Sequence, residues 1–141
     1  MSDGKAKVKA FYDALDQPAT KDVASLLTAA LAPTWRSHAS ETDPGKDRDA
    51  FIAQVQMFGK AFTSLEWRVV EVIPAFDAGK VVVRSQITAT PAGDFRGVAH
   101  NGGSFTTMTI DIHTIEDGQL VAAHHVEDWA GAVEQLKAAA S

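Results

Sequence analysis

A chain of 141 residues can bury one continuous core but not two, so a single domain spanning residues 1–141 is expected. Hydrophobic residues at 45% and charged residues at 22% exclude the composition of a disordered chain. The net charge of -5, with Lys and Arg scattered, argues against a nucleic-acid partner, and the lack of cysteine excludes disulfides, thiolate metal sites and a thiol nucleophile.

The opening MSDGKAKVKAFYDALD mixes charge into its first apolar stripe. It therefore reads as neither a secretory signal nor a membrane span, and a cytoplasmic location is expected. Asp3 is a candidate cap for a helix whose Val8, Phe11, Tyr12 and Leu15 recur at helical spacing and which should end near Pro18. Thr20 is the next candidate cap, ahead of Val23, Leu26, Leu27 and Ala30, before Pro33 interrupts the pattern. Thr34 to His38 briefly alternates bulky and polar residues, and ETDPGKD is a polar loop turning at Pro44-Gly45. Asp47 should cap a third helix carrying Phe51, Val55, Phe58 and Phe62, a stripe that burial alone explains, with Gly59 weakening it.

From Leu65 the period changes to two. LEWRVVEVI, KVVVRSQITAT, SFTTMTIDIHTI and QLVAAHHVED read as four consecutive strands joined by short turns, and Asp117-Gly118 should pair the last two directly. WAGAVEQLKAAAS closes the chain as a short helix. Helices first and strands afterwards predict the α+β class: a cone-shaped, curved antiparallel sheet wrapped by the N-terminal helices, with an apolar cavity at its wide end.

Polar residues inside otherwise apolar strands are the candidates for chemistry, because burial shifts their protonation. Asp128 ends its strand, and a period of two puts it on one face with Ala122, His124 and Val126, while His125 and Glu127 point away. Facing a cavity, Asp128 would be a proton acceptor; alternatively, an Asp directly before a helix serves as its cap. His113 shares a face with Asp111 and is a candidate for orienting a carbonyl or carrying a proton, unless that face is simply solvated. A hairpin between the last strands would let His113 and His124 approach each other. His38 and His100 lie in or near loops, where a lone histidine is commonly just surface. None of the five histidines has zincin spacing, so no metal is expected. G-x-S-x-G, Walker and G-x-G-x-x-G motifs are absent too, and no cofactor is expected.

The stretch GDFRGVAHNGG, followed by TIDIHTIEDGQLVAAHHVEDWAGAVEQL, resembles the C-terminal half of the SnoaL-like polyketide and ester cyclases, a branch of the nuclear transport factor two fold. Phe95 and Gly97, the turn Gly102, the hairpin Gly118, the strand-end Asp128 and Gln135-Leu136 of the last helix match that pattern. The family's Pro-Pro-Thr becomes Ala99-His100-Asn101, its last-strand Glu becomes Ala122 and its Trp becomes His124, so the cavity is re-lined. The resemblance implies an α+β barrel in which Asp128 moves the proton of an intramolecular aldol closure, with His113 in the place of an assisting strand histidine.

Together these features predict a cofactor-independent cyclase, or a related lyase or isomerase, acting on a small hydrophobic carbonyl compound. Asp128 and His113 are its expected catalytic residues, and His124, His38, Asp111, His100 and Phe95 its expected substrate contacts. Two alternatives stay open: hydrolysis by an Asp-held water in the same cavity, and a binding or dimerisation module without chemistry. A homodimer through the outer sheet face is expected, because the strands carry apolar residues of both parities.

Overall fold

The computed structural model describes the backbone of residues 2–140 and the side chains from Gly4 onward, so the expected Asp3 cap lies outside the described residues. Helix α1 (Ser2–Leu15) and helix α2 (Val23–Ala30) precede the first strand, linked through a 3-10 turn at Pro18–Thr20. Strand β1 (Leu31–His38) and the two-residue β2 (Lys46–Asp47) come next, followed by helix α3 (Arg48–Ala61). Strands β3 (Phe62–Ala75), β4 (Lys80–Pro91), β5 (Phe105–Glu116) and β6 (Gln119–Glu127) follow, and helix α4 (Trp129–Ala140) ends the chain. The four strands expected from the period-two pattern are all present and antiparallel, in the sheet order β2-β1-β6-β5-β4-β3. Strand β1 extends this sheet by pairing parallel to β6, a contact between distant segments that local periodicity does not signal. The sheet is therefore mixed and curved, and it does not close into a barrel.

Two caps decide helix starts. Asp22, not Thr20, caps α2, accepting from the Ser25 backbone N–H at 3.2 Å, while the Thr20 hydroxyl donates back to the Gln17 carbonyl. Asp47 caps α3 as expected, accepting from the Ala50 N–H at 2.8 Å. Gly59 has a packing reason: a Cβ there would lie 3.0 Å from the Ala19 backbone nitrogen, so only glycine lets α3 approach the Pro18–Thr20 turn this closely.

The core lies between the concave sheet face and the helices. Val8, Phe11, Tyr12 and Leu15 of α1 are all buried, as are Leu27, Trp35, Val55, Val83, Ile87, Phe105 and Leu120. Phe11 stacks on Phe51 of α3 with ring centroids 5.5 Å apart, which ties α1 to α3 over the sheet. The exit from α1 is pinned to β3, where the Gln17 N–H donates to the Leu65 carbonyl and the Trp67 N–H to Asp16. No helix among the described residues is long and apolar enough to cross a membrane.

One irregularity sets the facing of the rest of β6. The Asp117-Gly118 turn, with φ of 52° and 75°, pairs Glu116 with Gln119 and Ile115 with Leu120, but the next pair is Thr114 with Ala122. Val121 is thus an extra residue on β6, a bulge after which every side chain changes face. Leu120 and Ala123, three apart, both point inward and are buried.

Candidate active site

The bulge inverts the expected orientation of β6. Beyond it Ala123, His125 and Glu127 line the concave face, and His124, Val126 and Asp128 are exposed. The cavity under the curve of the sheet has a volume of about 240 Å³. Aromatic residues from α1, α3, β3 and the segment before β5 form its apolar wall, among them Phe11, Phe51, Phe58, Phe62, Trp67 and Phe95. Its polar lining includes Asp111, His125 and Glu127 from β5 and β6 and Gln54 from α3.

Antiparallel register places Asp111 directly opposite His125 and Thr109 opposite Glu127. Nδ1 of His125 contacts Asp111 Oδ1 and Nε2 contacts Glu127 Oε1, so the ring bridges two carboxylates. Burial acts to lower the His125 pKa, but the hydrogen bonds to Asp111 and Glu127 and their charges outweigh it and raise it from 6.5 to about 10. His125 is therefore an imidazolium at neutral pH, with both N–H groups committed. Glu127 lines the cavity, and its Oε2 is buried without a hydrogen-bond partner.

Behind this group a second line of polar residues is packed into the core. The Tyr12 hydroxyl donates to Asp111 Oδ2 at 2.5 Å and lies 2.7 Å from His113 Nε2. Burial, followed by the Asp111 charge and hydrogen bond, raises the Tyr12 pKa well above 10.0, so it stays a phenol. Burial lowers the His113 pKa, against the opposing pull of Asp111 and together with the repulsion of His125. A neutral His113 donating from Nε2 to the Tyr12 oxygen completes a chain, His113 to Tyr12 to Asp111, that fixes Asp111 beneath His125.

The expected site residues separate accordingly. Asp111 and Phe95 line the cavity, and His113, fully buried, supports Asp111 from behind it without reaching the lining. His113 pairs with Ala123, whereas His124 projects from the opposite face, so these two histidines do not meet. Instead His124 stacks on His38 outside the cone, with centroids 5.0 Å apart. His100 is exposed on the segment between β4 and β5, where its backbone N–H donates to Asp94. Asp128 accepts from the Gly131 N–H at 2.8 Å and caps α4; a Cβ on Gly131 would collide with its carboxylate. The cap reading of Asp128 is the one the geometry matches. His125 and Glu127 escape a period-two reading because one bulge residue reverses their face; an Asp and a His on the strand across the hairpin are the only sequence hint of a buried polar patch there.

The cavity rim is shaped by a tight turn. Phe95 and Val98 exchange backbone hydrogen bonds of 2.9 and 2.8 Å around Arg96 and Gly97, which take φ of 46° and 84°. Both central residues are left-handed, as in a type I′ turn, where Asn-Gly is favoured and Arg costs roughly 1–2 kcal/mol. The Arg96 guanidinium lies 4.6 Å from the centroid of Trp129, the first residue of α4. Among the described residues no group of three or more His, Asp or Glu is arranged to hold a metal ion.

Comparison with known proteins agrees with this architecture. Residues 6–136 match the family model described as SnoaL-like polyketide cyclase. Among solved structures, TsrD from Streptomyces laurentii is similar at a TM-score of 0.80 and 20% identity, covering 97% of this chain and 96% of its own. IdmH from Streptomyces antibioticus, a candidate polyketide cyclase, gives 0.79 and 20%, covering 95% and 98%. AclR from Streptomyces galilaeus, a candidate hydroxylase, gives 0.78 and 20%, covering 97% and 86%. No curated protein sequence matches the chain.

Proposed function

Because the chain belongs to the SnoaL-like polyketide cyclase family, we propose that its cavity performs cofactor-independent acid/base chemistry on a small hydrophobic carbonyl compound, with Glu127 as the proton-transferring residue. The observation that carries this reading is the Glu127 carboxylate, which lines the cavity, is held by the His125 imidazolium through Oε1 and keeps a buried Oε2 without a hydrogen-bond partner. A buried oxygen without a partner is unfavourable unless a ligand or water fills the place.

In an intramolecular aldol closure, Oε2 of Glu127 removes a proton from a carbon between carbonyls. The resulting enolate carbon attacks a second carbonyl of the same molecule, and the alkoxide formed takes the proton back. Atoms and charge balance without a co-reactant. Gln54, which lines the cavity, is a side-chain donor for the developing oxyanion. The aromatic wall positions the substrate so that its two carbonyl-bearing carbons approach. Asp128 acts as a helix cap in this scheme and takes no part in proton transfer.

Exchange of α-protons of 2-tetralone in deuterated water, followed by NMR, tests this without knowledge of the natural substrate. Glu127→Gln should lower the catalysed exchange by about a hundredfold or more, the lower range for general-base catalysis, and Asp128→Asn should leave it unchanged. The opposite pattern returns the base to Asp128, and no exchange above background by the unmodified protein favours a binding module. Two copies would pair through the outer sheet face, where Ile110, Ile112 and Val126 are exposed together.

A further inference from the structure

Three cationic groups line the cavity, Lys46, Arg96 and His125, against two carboxyl groups, Asp111 and Glu127. The cavity thus carries an excess of positive charge in a chain whose net charge is -5. The carboxylates are already bound to His125 and Tyr12. Neither the Lys46 nor the Arg96 side chain has an ion pair or hydrogen bond among the described residues. Arg96 lies over the Trp129 face, which orients the guanidinium but leaves its five N–H donors free.

The backbone points the same way. Arg96 occupies the left-handed first position of its turn, φ 46°, where Asn, Asp or Gly would fit with less strain. A disfavoured residue kept in such a place by the surrounding structure is a functional-site signal rather than a turn requirement. We propose that Arg96, supported by Lys46, is a specificity-determining anion subsite at the cavity rim, and that the substrate is a flat aromatic or polyketide-like carbonyl compound bearing a carboxylate. The inference rests on the reading of this cavity as the substrate site. The aromatic wall takes the ring system, the Glu127 end takes the acidic carbon, and the guanidinium takes the carboxylate through paired N–H donors.

Calorimetric titration with 2-naphthoate and with its uncharged analogue 2-naphthamide tests the subsite apart from any chemistry. The unmodified protein should bind the acid about tenfold more tightly than the amide at low ionic strength, with the difference shrinking as salt is added. Arg96→Asn puts the residue type this turn favours in place of arginine, so thermal stability should hold while the preference falls to about twofold or less. Arg96→Gly, for which a positive φ is unstrained, should behave alike and guards against a side-chain effect of Asn. Glu127→Gln should keep the preference although proton exchange is lost. Equal binding of acid and amide by the unmodified protein, or a preference that survives both Arg96 variants, overturns the anion subsite and leaves the cavity chemistry standing. Binding of neither probe overturns both.

Discussion

His125 gathers the electrostatics of the site, and its neighbours make opposite demands on pH. Its pKa is raised in the folded state to about 10, so its contribution to stability is complete below the ordinary value of 6.5 and is lost as pH rises from there toward 10. His113 shifts the other way: its pKa is lowered by burial, so its contribution is present above 6.5 and is lost as pH falls. Tyr12, raised above 10.0, extends the alkaline decline. Stability measured by denaturant titration across pH should therefore be highest near 6.5. His125→Gln should flatten the limb between that pH and 10, and an unchanged alkaline limb in this variant would show that the imidazolium is not formed in the folded protein. The residues in this arrangement come from α1, β5 and β6; period two groups Asp111 with His113 and His125 with Glu127, but not the two strands with each other or with Tyr12.

At the scale of elements, β6 and α4 meet at Asp128, and the junction explains why an Asp there is compatible with two readings. A strand-end Asp and a helix-cap Asp occupy the same place in the sequence; the side of the strand on which the carboxylate emerges separates them. Here the Val121 bulge turns it outward, toward the Gly131 N–H. Asp128→Ala should lower stability by about 1 kcal/mol in thermal or urea unfolding, while Asp128→Asn, which still accepts the bond, should fall within a few tenths of the unmodified protein. Equal losses for both would mean that the charge of Asp128, and not its capping bond, stabilises α4. The caps of α2 and α3 teach the complementary lesson: Asp47 was legible because nothing competed with it, whereas Thr20 is drawn into its own 3-10 turn and leaves the role to Asp22.

Across the whole molecule the curved sheet carries the core and the cavity on its inner face and exposed apolar side chains on its outer face. Met108, Ile110, Ile112 and Val126 are between 37 and 63% exposed, and Ile110 pairs with Val126 and Ile112 with His124 in one contiguous patch. A patch of this kind commonly marks an association surface, and the same face on a second copy is self-complementary when the two are related by a two-fold axis. Glu71 and Arg84, ion-paired on this face, supply opposite charges for the rim of such a contact. Ile110→Arg should convert a dimer into a folded monomer, with mass read by light scattering and folding by circular dichroism. A monomeric unmodified protein at high concentration would remove the pairing model.

Legible in the linear chain, unlike β1 and β2, which come before α3, were the helices α1, α2, α3 and α4, the four antiparallel strands β3 to β6, the Asp117-Gly118 hairpin, the shared face of Asp111 and His113, and the family pattern in the C-terminal half. All of these depend on residues close together in the chain, whose spacing reports the local period directly. The parallel pairing of β1 with β6, the hydrogen bond from Tyr12 to Asp111, 99 positions away, and the replacement of Asp128 by Glu127 at the cavity came from contacts between distant segments. The physical reason is that one additional residue in a strand leaves its composition and period nearly unchanged yet reverses every side chain beyond it. Whether β6 accommodates Val121 as a bulge is settled by how Leu120 and Ala123 both pack beneath the helices.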